Sequence, residues 1–106
     1  MNLPAAVSTY FTARAPEDGA AFAAAFAPEA IVHDEGQRHQ GGPAIRDWWL
    51  AAKARYRHEA VPLEVSEQDG KTRVRARVTG DFPGSPAVLT FAFGLRDGRI
   101  ADLAIG

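Results

Sequence analysis

The stretch AIVHDEG, residues 30 to 36, sets His33, Asp34 and Glu35 directly behind the β-branched pair Ile31 and Val32. An acid at a strand end that shares parity with Ala30 and Val32 faces whatever those two side chains face. If that face is buried, loss of water disfavours the carboxylate, raises the pKa of Asp34 and poises it as a general base. Tyr10 supplies a second group. It lies on a helical stripe with Leu3, Ala6 and Val7, which carries its hydroxyl into the same interior. A phenol there can donate a hydrogen bond to an oxygen that gains negative charge while the acid moves a proton at carbon. The plainer alternatives are a core aromatic with a satisfied hydroxyl and a strand-end acid held by nearby backbone.

Other polar residues carry less. His33 and Glu35 have the opposite parity and are expected to face away from Asp34. His33, Glu35 and His39 match no metal-ligand spacing, and a strand sends adjacent side chains to opposite faces, so no metal is expected. His58 and Glu59 follow the third helical segment, where a cation favours the helix C-terminus, and capping explains His58 as well as catalysis would. Ser85 has neither an adjacent base nor a nucleophile elbow. The sequence contains no Cys, which excludes disulfides, thiolate nucleophiles and thiolate metal sites. No motif calls for a cofactor.

The elements that must position Asp34 and Tyr10 follow from periodicity. With 106 residues, 46% hydrophobic and 24% charged, the chain is expected to form one domain over residues 1–106. A first helix starts after Asn2 as cap, and a second, short one follows Pro16, with Phe22 and Phe26 one turn apart before Pro28 stops it. Residues 30–35 alternate as a strand, QRHQGG reads as a turn with a short return, and Gly42 and Pro43 open a third helix. Ile45, Trp48 or Trp49, Ala52 and Tyr56 form its apolar stripe.

From Val61 the period becomes two. Val61, Leu63 and Val65 alternate with polar neighbours, and so do Thr72, Val74, Ala76 and Val78. Asp69-Gly70 predicts a tight hairpin in which Val65 faces Val74 and Glu64 faces Arg75. Arg73, Arg75 and Arg77 then form a solvated outer face. GDFPGSP, residues 80–86, is a turn-rich connection, after which Leu89, Phe91, Phe93 and Leu95 share a face and Asp97-Gly98 turns the chain again. In the last strand Ile100 falls on one parity and Leu103 and Ile105 on the other. A bulge near Ala101 reconciles them and sends Asp102 to solvent; without it Asp102 pairs with Phe93 on the apolar face.

Helices first and hairpin-linked strands afterwards predict an α+β domain: a curved, mainly antiparallel sheet with three helices from the N-terminal half on its concave side. Three helices cannot close such a sheet, and a small apolar ligand fits the opening. Trp48, Trp49, Tyr56, Phe82, Phe91 and Phe93 are the candidate lining, with packing of the helix onto the sheet as the alternative for both tryptophans.

The run from FAPEAIVHDEG through GGPAIRDWW to FAFGLRDGRIADLAI resembles the nuclear transport factor 2-like superfamily, and within it the SnoaL-like and ketosteroid isomerase-like proteins. The resemblance spans essentially the whole chain and implies a cone-shaped α+β fold. That fold hosts isomerases, cyclases, hydratases, epoxide hydrolases and inert binders, so it implies a site more than a reaction. In ketosteroid isomerases a Tyr on the first helix bonds the enolate oxygen and an Asp ending the first strand shuttles the proton. Tyr10 and Asp34 match those places. The family's second donor, a protonated Asp on a late strand, is here Phe91 or its neighbour Thr90.

Three functions follow as expectations: an isomerase with Asp34 as base and Tyr10 as oxyanion donor, a non-catalytic binding or dimerisation module, and a SnoaL-type polyketide cyclase with Asp34 or Asp102 as acid/base. The expected partner is a small apolar molecule in the cone. The resemblance also implies a homodimer through the convex sheet face. A net charge of −1 provides no field for nucleic acid or an anionic bilayer. The first 18 residues lack a basic leader or a long apolar run, so no membrane span is expected and the protein is placed in the cytoplasm.

Overall fold

The computed structural model describes residues 1–106. Three helices, α1 (Ala5–Thr12), α2 (Gly19–Ala24) and α3 (Gly42–Tyr56), accompany six strands: β1 (Phe26–Asp34), β2 (Gln37–Gln40), β3 (Glu59–Gln68), β4 (Lys71–Thr79), β5 (Ala87–Arg96) and β6 (Arg99–Ile105). The strands form one open sheet in the order β2-β1-β6-β5-β4-β3. Only the β1–β6 pairing is parallel. This is the expected α+β cone, a curved sheet with helices covering its concave side.

All three hairpins turn through two residues with positive φ, at Glu35-Gly36, Asp69-Gly70 and Asp97-Gly98. That backbone twist matches the right-handed twist of the strands they join. The β3–β4 register is the one the sequence predicts, with Val65 opposite Val74 and Glu64 opposite Arg75. Glu64 accepts a hydrogen bond from Arg75 at 2.9 Å on the outer face, an exposed pair that contributes about 0 to 1 kcal/mol.

Two insertions keep the apolar side chains on the concave side. Opposite β5, Gly94 pairs with Asp102 and Leu95 with Ile100, which leaves Ala101 as the extra residue. Ile100, Leu103 and Ile105 therefore all point inward, and Ile100 and Leu103 are fully buried. On β3 the register slips between Pro62 and Glu64. Val61 and Val65 consequently lie on opposite faces, which corrects the uniform alternation expected for that strand: Val61 stands 55% exposed opposite Arg77.

Two other boundaries also differ from expectation. Helix α1 starts at Ala5 with Pro4, not Asn2, at its cap position; proline lacks the N–H that a cap would have to satisfy. Pro28 does not end a helix. It lies inside β1, where the ladder to β6 slips between Phe26 and Ile31, as a residue without a donor requires. Phe26 thus starts the strand, yet its ring still lies 5.1 Å from that of Phe22.

The core joins α1, α2 and α3 to the sheet through Val7, Phe22, Ile45, Val32, Val74 and Phe93, all fully or almost fully buried. Burial of each large apolar side chain contributes roughly 1.5 to 3 kcal/mol. Trp49 stacks on Phe22 with ring centroids 4.0 Å apart and planes 6° from parallel.

Two glycines permit close approaches of different stiffness. A Cβ on Gly80 would sit 2.7 Å from the Tyr56 carbonyl oxygen and 2.9 Å from His58 Cα, whereas one on Gly94 would meet only the Asp102 side chain. Backbone cannot yield, but a half-exposed carboxylate can swing aside. Gly80→Ala is therefore expected to lower the unfolding free energy by about 1 to 3 kcal/mol and Gly94→Ala by clearly less. Urea denaturation of the two variants against wild type checks this order.

Candidate functional site

A cavity of about 350 Å³ opens between α3, the first turn of the β1–β2 hairpin and the inner faces of β4, β5 and β6. Its walls include Tyr56, Phe82, Leu89, Phe91 and Ile105, and its polar groups are Tyr10, Asp34, Glu35, Arg55 and His58. A cavity of this size falls within the range of small-molecule sites. At its inner end lies a second void of about 30 Å³, bounded by Tyr10, Phe11, Trp49, Lys53 and His58 among others, enough for one or two waters.

Asp34 ends β1 with the parity of Ala30 and Val32, both buried, and is itself half-buried. Burial raises its pKa above the ordinary carboxyl range. The indole N–H of Trp48 opposes that shift by donating a hydrogen bond to Oδ2 at 3.2 Å, and nearby Glu35 reinforces it while His39 and the Glu35 backbone N–H act against it. His39 packs against Trp48, with ring centroids 5.7 Å apart. The carboxylate is thus neither free in bulk water nor sealed in apolar surroundings.

Tyr10 stands among Phe11, Phe22, Phe26, Phe91 and Phe93, with all five ring centroids within 6.4 Å. Burial, and secondarily the charge of Asp34, push its pKa up. The group stays a phenol, able to donate but unable to serve as a base. No polar side-chain atom in the protein is both sealed and unpaired, and no hydrogen bond within the chain occupies the Tyr10 hydroxyl. It therefore opens onto the cavity, the same cavity that Asp34 borders.

The remaining expected residues divide. Trp48, Tyr56, Phe82 and Phe91 line the cavity. Trp49 reaches only the small inner void and otherwise stacks in the core. Phe93 is fully buried against Tyr10 and Phe11 and borders neither void, which corrects its expected place in the lining. Asp102 is also corrected. The Ala101 insertion turns it to the convex face, where it takes an ion pair from Lys71 across Gly94. Thr90 lies on that outer face too, bordering a cleft with Glu64 and Arg73, so β5 offers Phe91 and no second donor to the cavity.

Three polar lining residues, Glu35, Arg55 and His58, were not among the expected lining. Glu35 faces the cavity mouth because strand parity ends at Asp34 and Glu35 takes a positive φ of 51° in the turn. For His58 the sequence left capping and catalysis equally open, and the residue borders both voids. Burial and then the neighbouring Lys53 charge hold its pKa down to about 4, against the opposing effect of the Ala52 carbonyl. His58 is therefore a neutral imidazole at ordinary pH. Its place follows from the left-handed conformation of Arg57, which reverses the chain immediately after Tyr56 and which no residue type in the sequence announces. His33 is exposed, as expected, and no group of three His, Asp or Glu residues could hold a metal.

The SnoaL-like domain model matches residues 7–103. A proposed polyketide cyclase from Sinorhizobium meliloti is 50% identical over 98% of this chain and 95% of its own, with a TM-score of 0.92. A protein of ketosteroid isomerase-like fold from Catenulispora acidiphila, solved with trimethylamine, is 16% identical over 99% of this chain and 86% of its own, at a TM-score of 0.82. A proposed SnoaL-like isomerase from Agrobacterium tumefaciens is 20% identical over 94% of this chain and 92% of its own, at 0.75. The last two show likeness of fold alone. No curated protein matches the sequence. No helix is long and apolar enough to cross a membrane.

The raised pKa of Asp34 has a definite sign in folding. The native state holds the proton more tightly than the unfolded chain, so the protein loses stability as pH rises through the native pKa and keeps it below the ordinary carboxyl range. Asp34→Asn removes that cost while keeping an acceptor for the Trp48 indole. Its thermal midpoint is expected to exceed that of wild type at pH 7, with the difference closing below about pH 4. Paired melts at the two pH values check this.

Proposed function

The chain belongs to the SnoaL-like domain family within the nuclear transport factor 2-like superfamily, and from that premise we propose that it is a small enzyme acting on an apolar carbonyl compound. One observation carries the reading: Asp34 and the unengaged Tyr10 hydroxyl border a single cavity of about 350 Å³ with mainly apolar walls. Asp34 takes a proton from the carbon next to the carbonyl. The electron pair moves onto the carbonyl oxygen, and Tyr10 donates a hydrogen bond to the enolate that results. Partial desolvation makes the carboxylate a stronger base, and the hydrogen bond from the Trp48 indole favours its charged form.

Two fates of the enolate are open to this geometry. Return of the proton at a different carbon is an isomerisation. Attack of the enolate carbon on a second carbonyl of the same molecule, with Asp34 returning its proton to the new alkoxide, is an aldol ring closure. The 50% identical Sinorhizobium protein, itself a proposed polyketide cyclase, favours the second. A non-catalytic binding module is the competing reading, favoured by the absence of a second oxyanion donor on β5. A homodimer is part of the enzyme reading, and light scattering at twice 11.4 kDa is its measurement.

Both enzymatic fates share the first deprotonation, which can be tested without the natural substrate. With 2-tetralone in deuterium oxide, wild type is expected to exchange the protons beside the carbonyl faster than buffer does. Asp34→Asn should lose essentially all of that acceleration, since a positioned base supplies roughly 10² to 10⁴-fold. Tyr10→Phe should lose about 10² to 10³-fold. Binding of 2-tetralone with exchange no faster than buffer would establish the binding-module reading instead.

A further inference from the structure

The cavity's polar groups fall into two sets. Asp34, Glu35 and Arg55 border the large cavity and not the small void, whereas His58 also borders the small void, together with Tyr10 and Lys53. The walls between them are aromatic or aliphatic.

His58 is held there by several independent contacts. Arg57 takes a left-handed conformation, φ 46° and ψ 39°, and turns the chain at the end of α3. Lys53 Nζ donates to the His58 carbonyl at 2.9 Å. The Asp81 N–H bonds the Tyr56 carbonyl at 2.6 Å, and Gly80 leaves room for the His58 backbone where any Cβ would collide. The segment leaving β4 thus clamps the residue from the far side. A histidine wanted only as a helix cap would not need its ring turned from solvent into a cavity.

The imidazole has one N–H when neutral. No hydrogen bond within the chain engages the ring, and no side-chain polar atom is sealed without a partner, so the ring nitrogen that lacks the proton is an open acceptor. No side chain of the protein donates to it. Lys53, the nearest cation, gives its hydrogen bond to the His58 backbone. The nearest donor facing the same space is the Tyr10 hydroxyl, which the proposed chemistry aims at a carbonyl.

We propose that His58 is a specificity-determining residue of the cavity, accepting a hydrogen bond from a hydroxyl group carried by the ligand on the side that adjoins the small void. The preferred ligand class is therefore a mainly apolar molecule that carries a hydroxyl donor. An acceptor left unpaired when a bound ligand displaces its water is costly, so the pocket discriminates against ligands that lack the donor. The inference rests on the cavity being a ligand site but not on any proton transfer by Asp34.

The test compares 2-naphthol with 2-methoxynaphthalene, which has a similar shape and no donor, by calorimetric titration. Wild type is expected to prefer the naphthol roughly tenfold. His58→Phe should abolish the preference while still binding the methoxy compound. His58→Gln, which retains an acceptor, should keep part of it. A preference that survives in His58→Phe, or no preference in wild type, overturns the inference. Failure of wild type to bind either compound overturns both this inference and the pocket reading beneath it. A readout that needs no variant is the ¹⁵N resonance of the bare imidazole nitrogen, which should move on saturation with 2-naphthol and stay in place with the methoxy compound. An unmoved resonance likewise overturns the assignment.

Discussion

A sheet that curves around a core must keep its apolar side chains on the concave side while its strands bend, and a regular alternation cannot do this at every turn. Here the constraint is met by single inserted residues. Ala101 shifts the second half of β6 by one place, so that Leu103 and Ile105 join Ile100 facing inward. Without that shift Asp102 would enter the core opposite Phe93. With it, Asp102 stands over Gly94 on the convex face, and its charge meets Lys71 instead of apolar surroundings. The parallel partner of β6 is β1, whose Val32 lies opposite Leu103. The parity that seats Asp34 at the cavity is thus set by the same register.

The site that results is balanced electrostatically. Asp34 loses some water, which works against its charge, and gains the Trp48 indole, which favours it. Tyr10 gains no partner within the chain and is surrounded by rings, so it keeps its proton. A carboxyl whose basicity is raised by burial and a phenol that keeps its proton are compatible with the proposed enolate chemistry, because neither neutralises the other. His58 adds a third state, a base too weak to become charged at neutral pH. The cavity therefore holds an acid, a donor and an acceptor whose protonation states differ because burial acts on each with a different partner.

Much of this was legible in the residues. Asp69-Gly70 and Asp97-Gly98 fixed two hairpins, and the opposition of Val65 to Val74 followed from the first. The broken rhythm of Ile100, Leu103 and Ile105 contained the Ala101 insertion, and the parity of Ala30, Val32 and Asp34 contained the inward acid. Glu35 was misplaced because alternation was extended one residue past the strand, into a turn where φ is positive and parity has no meaning. The slip at Leu63 left no trace because Val61, Leu63 and Val65 alternate perfectly in sequence; an edge strand tolerates exposed valine, so the pattern does not reveal it. His58 was illegible for a different reason. Its place depends on Gly80 and Asp81, more than twenty residues away, pressing on the end of α3, and local spacing carries no record of such a contact.

On the proposed reading, deprotonation beside a carbonyl needs Asp34 and Tyr10, which are placed by β1 and α1, and these two elements enter the core through the fully buried Val32 and Val7. What happens to the enolate next depends on what lies within reach of its carbon. That is determined by the walls, Tyr56, Phe82, Leu89 and Ile105, and by the polar group at the inner end. Phe82 stands in the turn-rich connection between β4 and β5, which packs on Tyr56 at a centroid distance of 6.2 Å but belongs to no regular element. Loops tolerate change better than strands. A different side chain at Phe82 or His58 would hold the same enolate in a different pose, whereas any change to the parity of β1 would remove the base from the cavity altogether. On that reading the register of the sheet places the proposed base, and the two chain reversals that carry His58 and Phe82 shape the space around a bound enolate.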